Sequence, residues 1–240
     1  KQLYVSYAVS DKFKLTMGKW ATHIGYELVD AYANRNYSMS YMFSYGPFFH
    51  TGLKADISLG GKSALMVGIA NPTDYSTTTS SSKFVIAQFS TGTSNDKVKA
   101  FLNFQNGKYA IGSNLTQFDL VVTGAVTDKF SIGYNGTVQT RKPSGGSSAS
   151  WWGSAIYLNV DPTSKFGLTL RGEYFDDKKD VLGLNTSIFA ATLSANFKVN
   201  KLTIIPELRL DNASDEVFLK NDNTGTKSTG TFLLAATYSF

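Results

Sequence analysis

Thr231-Phe232-Leu233-Leu234-Ala235-Ala236-Thr237-Tyr238-Ser239-Phe240 is the stretch whose reading decides the fold. Phe232, Leu234, Ala236, Tyr238 and Phe240 form one wholly apolar or aromatic set. Thr231, Leu233, Ala235, Thr237 and Ser239 form the alternate set, small or polar except for Leu233. Successive side chains on a strand point to opposite faces, so the segment has one greasy face and one mild face. Its length matches the roughly 9–11 residues that a tilted strand needs to cross a bilayer.

The rest of the composition suits such strands. The chain has 240 residues and no cysteine, which removes disulfides and thiolate chemistry. No run of about 18 apolar residues exists, so no helix is expected to span a membrane. The amino-terminal residues are already strand-like and carry no charged-then-apolar signal region. Aromatic residues make up 14% of the chain, proline is scarce, and glycine, serine and threonine are plentiful, a β-rich composition with polar loops. The net charge of +5 would suit a nucleic-acid binder only if the lysines clustered on one face. Many instead recur singly at turns.

Those turns set a period. Asp11-Lys12, Gly61-Lys62, Asp96-Lys97, Asp128-Lys129, Ser164-Lys165 and Asn200-Lys201 each sit between apolar-alternating segments. The last three lysines are 36 residues apart, and Lys62 and Lys97 are 35 apart. That repeat accommodates two long strands, one tight turn and one long loop, and exceeds the 8–12-residue strand spacing of a soluble sandwich. Between the turns, alternation is clear over 1–9, 13–20, 51–58, 98–105, 117–124, 130–139, 151–160, 166–175, 187–198 and 202–210. Residues 64–70 and 84–90 are apolar on both faces. With the last strand this makes thirteen. Thirteen long strands with aromatics near their ends argue for a transmembrane barrel, where closure pairs every backbone group in lipid. Residues 1–9 and the final strand run in the same direction, and a closed antiparallel barrel needs an even number. The reading therefore expects at least one strand before Lys1, or one weak strand missed. The long loops fall at 21–49, 71–83, 106–116, 140–150, 176–186 and 211–230. The first is rich in tyrosine and phenylalanine, and a long ordered loop of this kind is usually functional.

The aromatic last residue on an amphipathic final strand resembles the signal by which bacterial outer-membrane barrels are recognised for insertion. Lys14-Leu15-Thr16-Met17-Gly18-Lys19-Trp20-Ala21-Thr22-His23-Ile24-Gly25-Tyr26-Glu27 resembles a stretch of the β-barrel porin-2 family, as do Tyr37-Ser38-Met39-Ser40 and Gly46-Pro47-Phe48-Phe49-His50-Thr51-Gly52-Leu53. The resemblance is carried by residues 1–56. It implies strands upstream of these segments and a full barrel of roughly sixteen strands. Where the family leads one to expect an Asn-Gly-Trp-Asp-like strand end, this chain has Gly68-Ile69-Ala70-Asn71-Pro72-Thr73-Asp74. The resemblance itself implies a porin-like protein and no particular substrate path.

The expectation is thus an all-β, antiparallel transmembrane barrel over residues 1–240, integral to the bacterial outer membrane. It would act as a passive channel for small hydrophilic solutes or ions. Alternation nominates Lys14, Lys54, Asp56, Lys99, Asp119, Arg171, Glu173, Lys198, Glu207 and Arg209 for the lumen. With both signs present, ion selectivity is expected to be weak. The competing expectation is that these charges pair with one another and fill a narrow lumen. Glu27, Asp30 and Arg35 are the constriction candidates, if the 21–49 loop folds inward. His23 and Glu27 have helical spacing, but the chain has only His23 and His50 and no His-Glu-x-x-His, so no metal or other cofactor is expected. Asp176, Asp177 and Asp180, with Asp211, Asp215 and Glu216, read more simply as solvated loop acids than as calcium ligands. No Gly-x-Ser-x-Gly elbow is present, and enzyme activity is not expected. Partners would be membrane lipid and lipopolysaccharide, small hydrophilic solutes and no nucleic acid. A non-conducting barrel serving as a scaffold with other outer-membrane subunits, favoured if the first loop plugs the lumen, and an outer-membrane enzyme are the alternatives.

Overall fold

A computed structural model describes residues 2–79, 82–109 and 112–238. Thirteen strands form one antiparallel sheet in sequence order. They are β1 (Leu3–Ser10), β2 (Phe13–Ala21), β3 (Phe49–Gly60), β4 (Ser63–Ala70), β5 (Phe84–Gly92), β6 (Val98–Lys108), β7 (Asn114–Thr127), β8 (Phe130–Lys142), β9 (Ala149–Thr163), β10 (Phe166–Asp176), β11 (Ser187–Val199), β12 (Leu202–Ala213) and, after a small hairpin of β13 (Phe218–Leu219) and β14 (Gly225–Thr226), β15 (Ser228–Tyr238). Lengths run from 8 residues in β1 to 15 in β9, and most strands exceed the expected segments at one end, β3, β7 and β9 at both. The long loops are correspondingly shorter. Residue 240 lies outside the described residues, so the aromatic terminus is not placed.

Neighbouring strands are joined alternately by tight turns and loops, as the lysine period predicts, although the 109–113 loop is no longer than the 93–97 turn. Asn200 and Asp96 take left-handed backbone angles, φ 55° and 57°, in two of the tight turns. Short polar side chains tolerate that conformation best among non-glycine residues. Register is continuous along most ladders, for example Phe166↔Phe197 through Asp176↔Ser187 between β10 and β11. A one-residue slip would exchange the faces, so the alternation itself pins the pairing.

The two faces differ as lipid and lumen should. Leu170, Leu193, Leu208, Phe232 and Leu234 are exposed on the outer face. The inner face is polar and buried. Asn103 Nδ2 donates to Asp119 Oδ1 at 2.7 Å, and Asn135 Nδ2 donates to Asp119 Oδ2 at 2.6 Å. Gln105 Nε2 donates to Gln117 Oε1 at 2.7 Å. β1 and β15 are the two edges of the sheet and, among the described residues, are not paired with each other. β1 is exposed along its whole length.

β4 and β5 show why their alternation is weak. Their inward residues Met66, Ala70, Phe84 and Ile86 form an apolar cluster with Trp20 and Leu115. This patch of inner wall is covered by protein rather than water.

Candidate functional site

The connection between β2 and β3 carries a short 3-10 turn (Ala31–Ala33) and a helical turn α1 (Tyr41–Ser44). It turns inward, and successive residues meet successive strands. His23 Nε2 lies 3.2 Å from the Phe104 carbonyl oxygen on β6. The Gly25 N–H donates to Asp119 on β7 at 3.0 Å, and the Tyr26 N–H to Asn135 on β8 at 3.3 Å. The Tyr26 ring stacks on Tyr157 of β9 with centroids 4.0 Å apart. Glu27 then reaches β10, accepting from Arg171 Nη1 at 2.5 Å and from the Tyr157 hydroxyl at 3.2 Å. The 3-10 turn packs against β15.

The returning arm climbs β9 to β12 from the tight-turn end toward the long-loop end. Arg35 makes a bidentate pair with Asp161 at 2.8 and 2.9 Å and donates to Thr169 at 2.7 Å. Asn36 donates to Ser194 at 2.6 Å. The N–H groups of Tyr37 and Ser38 donate to the two oxygens of Glu207 at 2.7 and 3.0 Å. Arg209 donates to the Met39 carbonyl at 2.7 Å. The N–H groups of Tyr41 and Met42 donate to Glu173 at 2.9 and 2.8 Å. Ser40 caps α1 by accepting from the Phe43 N–H at 3.1 Å, while its own N–H and hydroxyl donate to Glu27 at 2.8 and 3.0 Å. An irregular buried segment leaves backbone N–H groups without secondary-structure partners, and each must find an acceptor. Carboxylates supply them here through charge-assisted bonds, the stronger kind.

Three glycines on the inner wall make room for the loop. A Cβ on Gly133 would meet the Tyr26 ring at 2.6 Å, one on Gly153 would meet Met42 Cγ at 2.3 Å, and one on Gly167 would meet Asp161 Oδ1 at 2.4 Å and Arg35 Nη2 at 2.8 Å. Above Gly153, Met42 joins Trp151, Ala155, Tyr157 and Phe175 in a second apolar cluster, flanked by Tyr41 and Tyr45. Burial, and after it the nearby Asp211, push the Tyr41 phenol up to about 12. Burial holds the His23 imidazole down at about 4, and its ring lies 4.9 Å from that of His50.

Of the residues nominated from the sequence, Asp119 receives the Gly25 N–H, Lys198 lies 3.8 Å from Asp161 and Lys99 is exposed, and the rest divide into three groups. Glu27, Arg35, Arg171, Glu173, Glu207 and Arg209 come together as the anchors of the loop. Lys14, Lys54 and Asp56 form a separate group on β2 and β3, with Lys54 2.9 Å and Lys14 3.6 Å from Asp56. Asp30 stands apart, exposed at the start of the 3-10 turn with no side-chain capping bond. Pairing is thus the rule among the inner charges. Asp161, Asn36 and the wall glycines escaped the sequence reading. Asp161 belongs to the inward set of β9, but nothing near it in sequence points to Arg35.

A continuous antiparallel sheet with an apolar outer face, a polar inner face and a loop anchored inside it defines an outer-membrane β-barrel of the channel class. The chain belongs to the family described as "Putative beta-barrel porin-2, OmpL-like", which it matches over residues 1–240. No curated protein matches it. Among solved structures, it is similar to an anion-selective porin from Comamonas acidovorans at 11% identity and a TM-score of 0.68, covering 98% of this chain and 74% of that one. It is similar to OmpT of Vibrio cholerae at 11% identity and a TM-score of 0.65, covering 99% and 88%. The outer-membrane channel DcaP of Acinetobacter baumannii matches at 13% identity and a TM-score of 0.63, covering 94% and 71%. At these identities the likeness is one of fold. Family and fold together make the protein a porin-like channel, rather than an enzyme, integral to the bacterial outer membrane.

Proposed function

We propose that the barrel passes small hydrophilic solutes and ions by passive diffusion, and that the 21–49 loop is its constriction. The observation that carries this reading is the spread of the loop's anchors, which run from β5 to β12 and leave the inner face of β2 and β3 uncovered toward their tight-turn ends. Lys14 there retains 52% of its side-chain exposure and Asp56 30%. Solutes would pass between that wall and the fixed loop. In this reading Glu27 and Arg35 set the bore indirectly, by holding the loop, and Asp30 faces the path. Membrane lipid surrounds the barrel, and lipopolysaccharide is the outer-leaflet molecule it would meet.

Single-channel recording in a planar bilayer tests the proposal. Discrete steps are expected, with larger and noisier conductance in Glu27→Ala and Arg35→Ala. The absence of steps from correctly folded protein sinks it. A second reading, a non-conducting scaffold within a larger outer-membrane complex, draws on the two apolar clusters that pack against the inner wall. Silent bilayers together with a co-purifying outer-membrane subunit would favour that reading.

A further inference from the structure

We infer that the lumen prefers small anions over cations, an inference that rests on the diffusion reading above. The inner wall carries charges of both signs, but the loop does not use them evenly. Docking withdraws carboxylates. Glu173, Glu207, Asp119 and Glu27 are left 0%, 1%, 2% and 5% exposed, each accepting loop backbone N–H groups. Arg171 is the one strand cation buried as deeply, with 0% side-chain exposure.

On the inner face two strand carboxylates, Asp56 and Asp161, stay accessible, and each is bracketed by two cations. Asp56 lies 2.9 Å from Lys54 and 3.6 Å from Lys14. Asp161 lies 2.8 Å from Arg35 and 3.8 Å from Lys198. Each trio keeps one positive charge in excess. Both lie in the half of the sheet nearer the tight turns, where Lys99 is also exposed on the inner face. Exposed Asp30 is the opposing charge on the loop. A permeating ion sheds part of its water beside such groups, so an unbalanced trio lowers the barrier for an anion and raises it for a cation.

The reversal potential of the purified protein in a planar bilayer, under a potassium chloride gradient, tests this. At about 0.1 M salt, where screening reaches about 10 Å, chloride permeability should exceed that of potassium, and the preference should fade toward 1 M, where it reaches about 3 Å. Lys14→Gln combined with Lys198→Gln removes the excess charge from each trio and leaves the Lys54–Asp56 and Arg35–Asp161 pairs intact. The permeability ratio should then fall to near one. Lys179→Gln combined with Lys220→Gln, two exposed loop substitutions with the same change in net charge, should leave the ratio unchanged. A wild-type ratio at or below one overturns the anion preference while leaving the channel reading standing. So does an equal shift in the Lys179→Gln, Lys220→Gln control. No conductance from folded barrel overturns both.

Discussion

At the scale of single residues, Arg171 and Glu27 form a buried ion pair between the wall and the loop, and the loop is expected to depend on it. Both are buried, and Arg171 also donates to the Ser38 carbonyl at 2.7 Å and to Thr192 at 3.1 Å. Removing one member strands the other without a counter-charge, which typically costs about 3–5 kcal/mol, whereas replacing both with uncharged groups costs far less. Arg171→Met should therefore undock the loop. Hydrogen exchange at the amides of Tyr37, Ser38, Ser40, Tyr41 and Met42, which donate to Glu207, Glu27 and Glu173, should accelerate without loss of the sheet. Glu27→Gln added to Arg171→Met should restore part of the protection. Unchanged exchange in Arg171→Met would show that the pair is not an anchor. Gly153 makes a complementary case with no charge involved. Gly153→Val would collide with Met42, and such overpacking costs typically about 1–3 kcal/mol. Limited proteolysis should cut the 21–49 loop faster in that variant, while heat resistance of the barrel stays near wild type. Equal cutting rates would mean the loop does not rest on Gly153.

At the scale of elements, the loop combines local irregularity with a fixed position, and its docking should depend on pH. His23 is held at about 4 by burial, with Lys54 nearby adding to the effect. An undocked loop would return it toward the ordinary 6.5. Below 6.5 the undocked form takes up a proton that the docked form refuses, so docking is strongest above 6.5 and weakens progressively as pH falls toward 4. Open-channel noise should rise across that interval, and His23→Gln should flatten the response. Noise that stays level from 6.5 down to 4 would discard this role for His23. The same loop marks where sequence reading stopped. Its length and aromatic content flagged it as functional, and Glu27 and Arg35 were singled out as charged residues within it. Its path was not legible, because Arg35 and Asp161 stand 126 residues apart and neither carries a local mark of the other. The strands were legible for the opposite reason. Each one faces lipid on one side and polar wall on the other, so the period of two is written into ten consecutive residues without reference to anything distant. β4 and β5 are the exceptions, since Met66 and Phe84 face an apolar cluster where most of the inner wall is polar.

At the scale of the whole molecule, the assignment of inside and outside can be read from one pair of neighbours. Trp151 and Trp152 are consecutive on β9 and therefore point to opposite faces. Trp151 is fully buried against Phe175, with ring centroids 5.3 Å apart, whereas Trp152 is 43% exposed beside Tyr174 on the outer face. Trp20, the remaining tryptophan, is 5% exposed and belongs to the inner cluster. If the outer face meets hydrocarbon, only Trp152 can touch acyl chains, because aromatic residues on lipid-facing positions near a strand end sit at the bilayer boundary. In vesicles whose lipids carry bromine on the acyl chains, wild-type tryptophan fluorescence should be partly quenched. Trp152→Phe should abolish the quenched component, and Trp151→Phe should leave it in place. Quenching that survives Trp152→Phe but disappears in Trp151→Phe would invert the faces. The polar ladder of Asn103, Asp119 and Asn135 would then have to lie in lipid, where its unpaired alternatives are most costly.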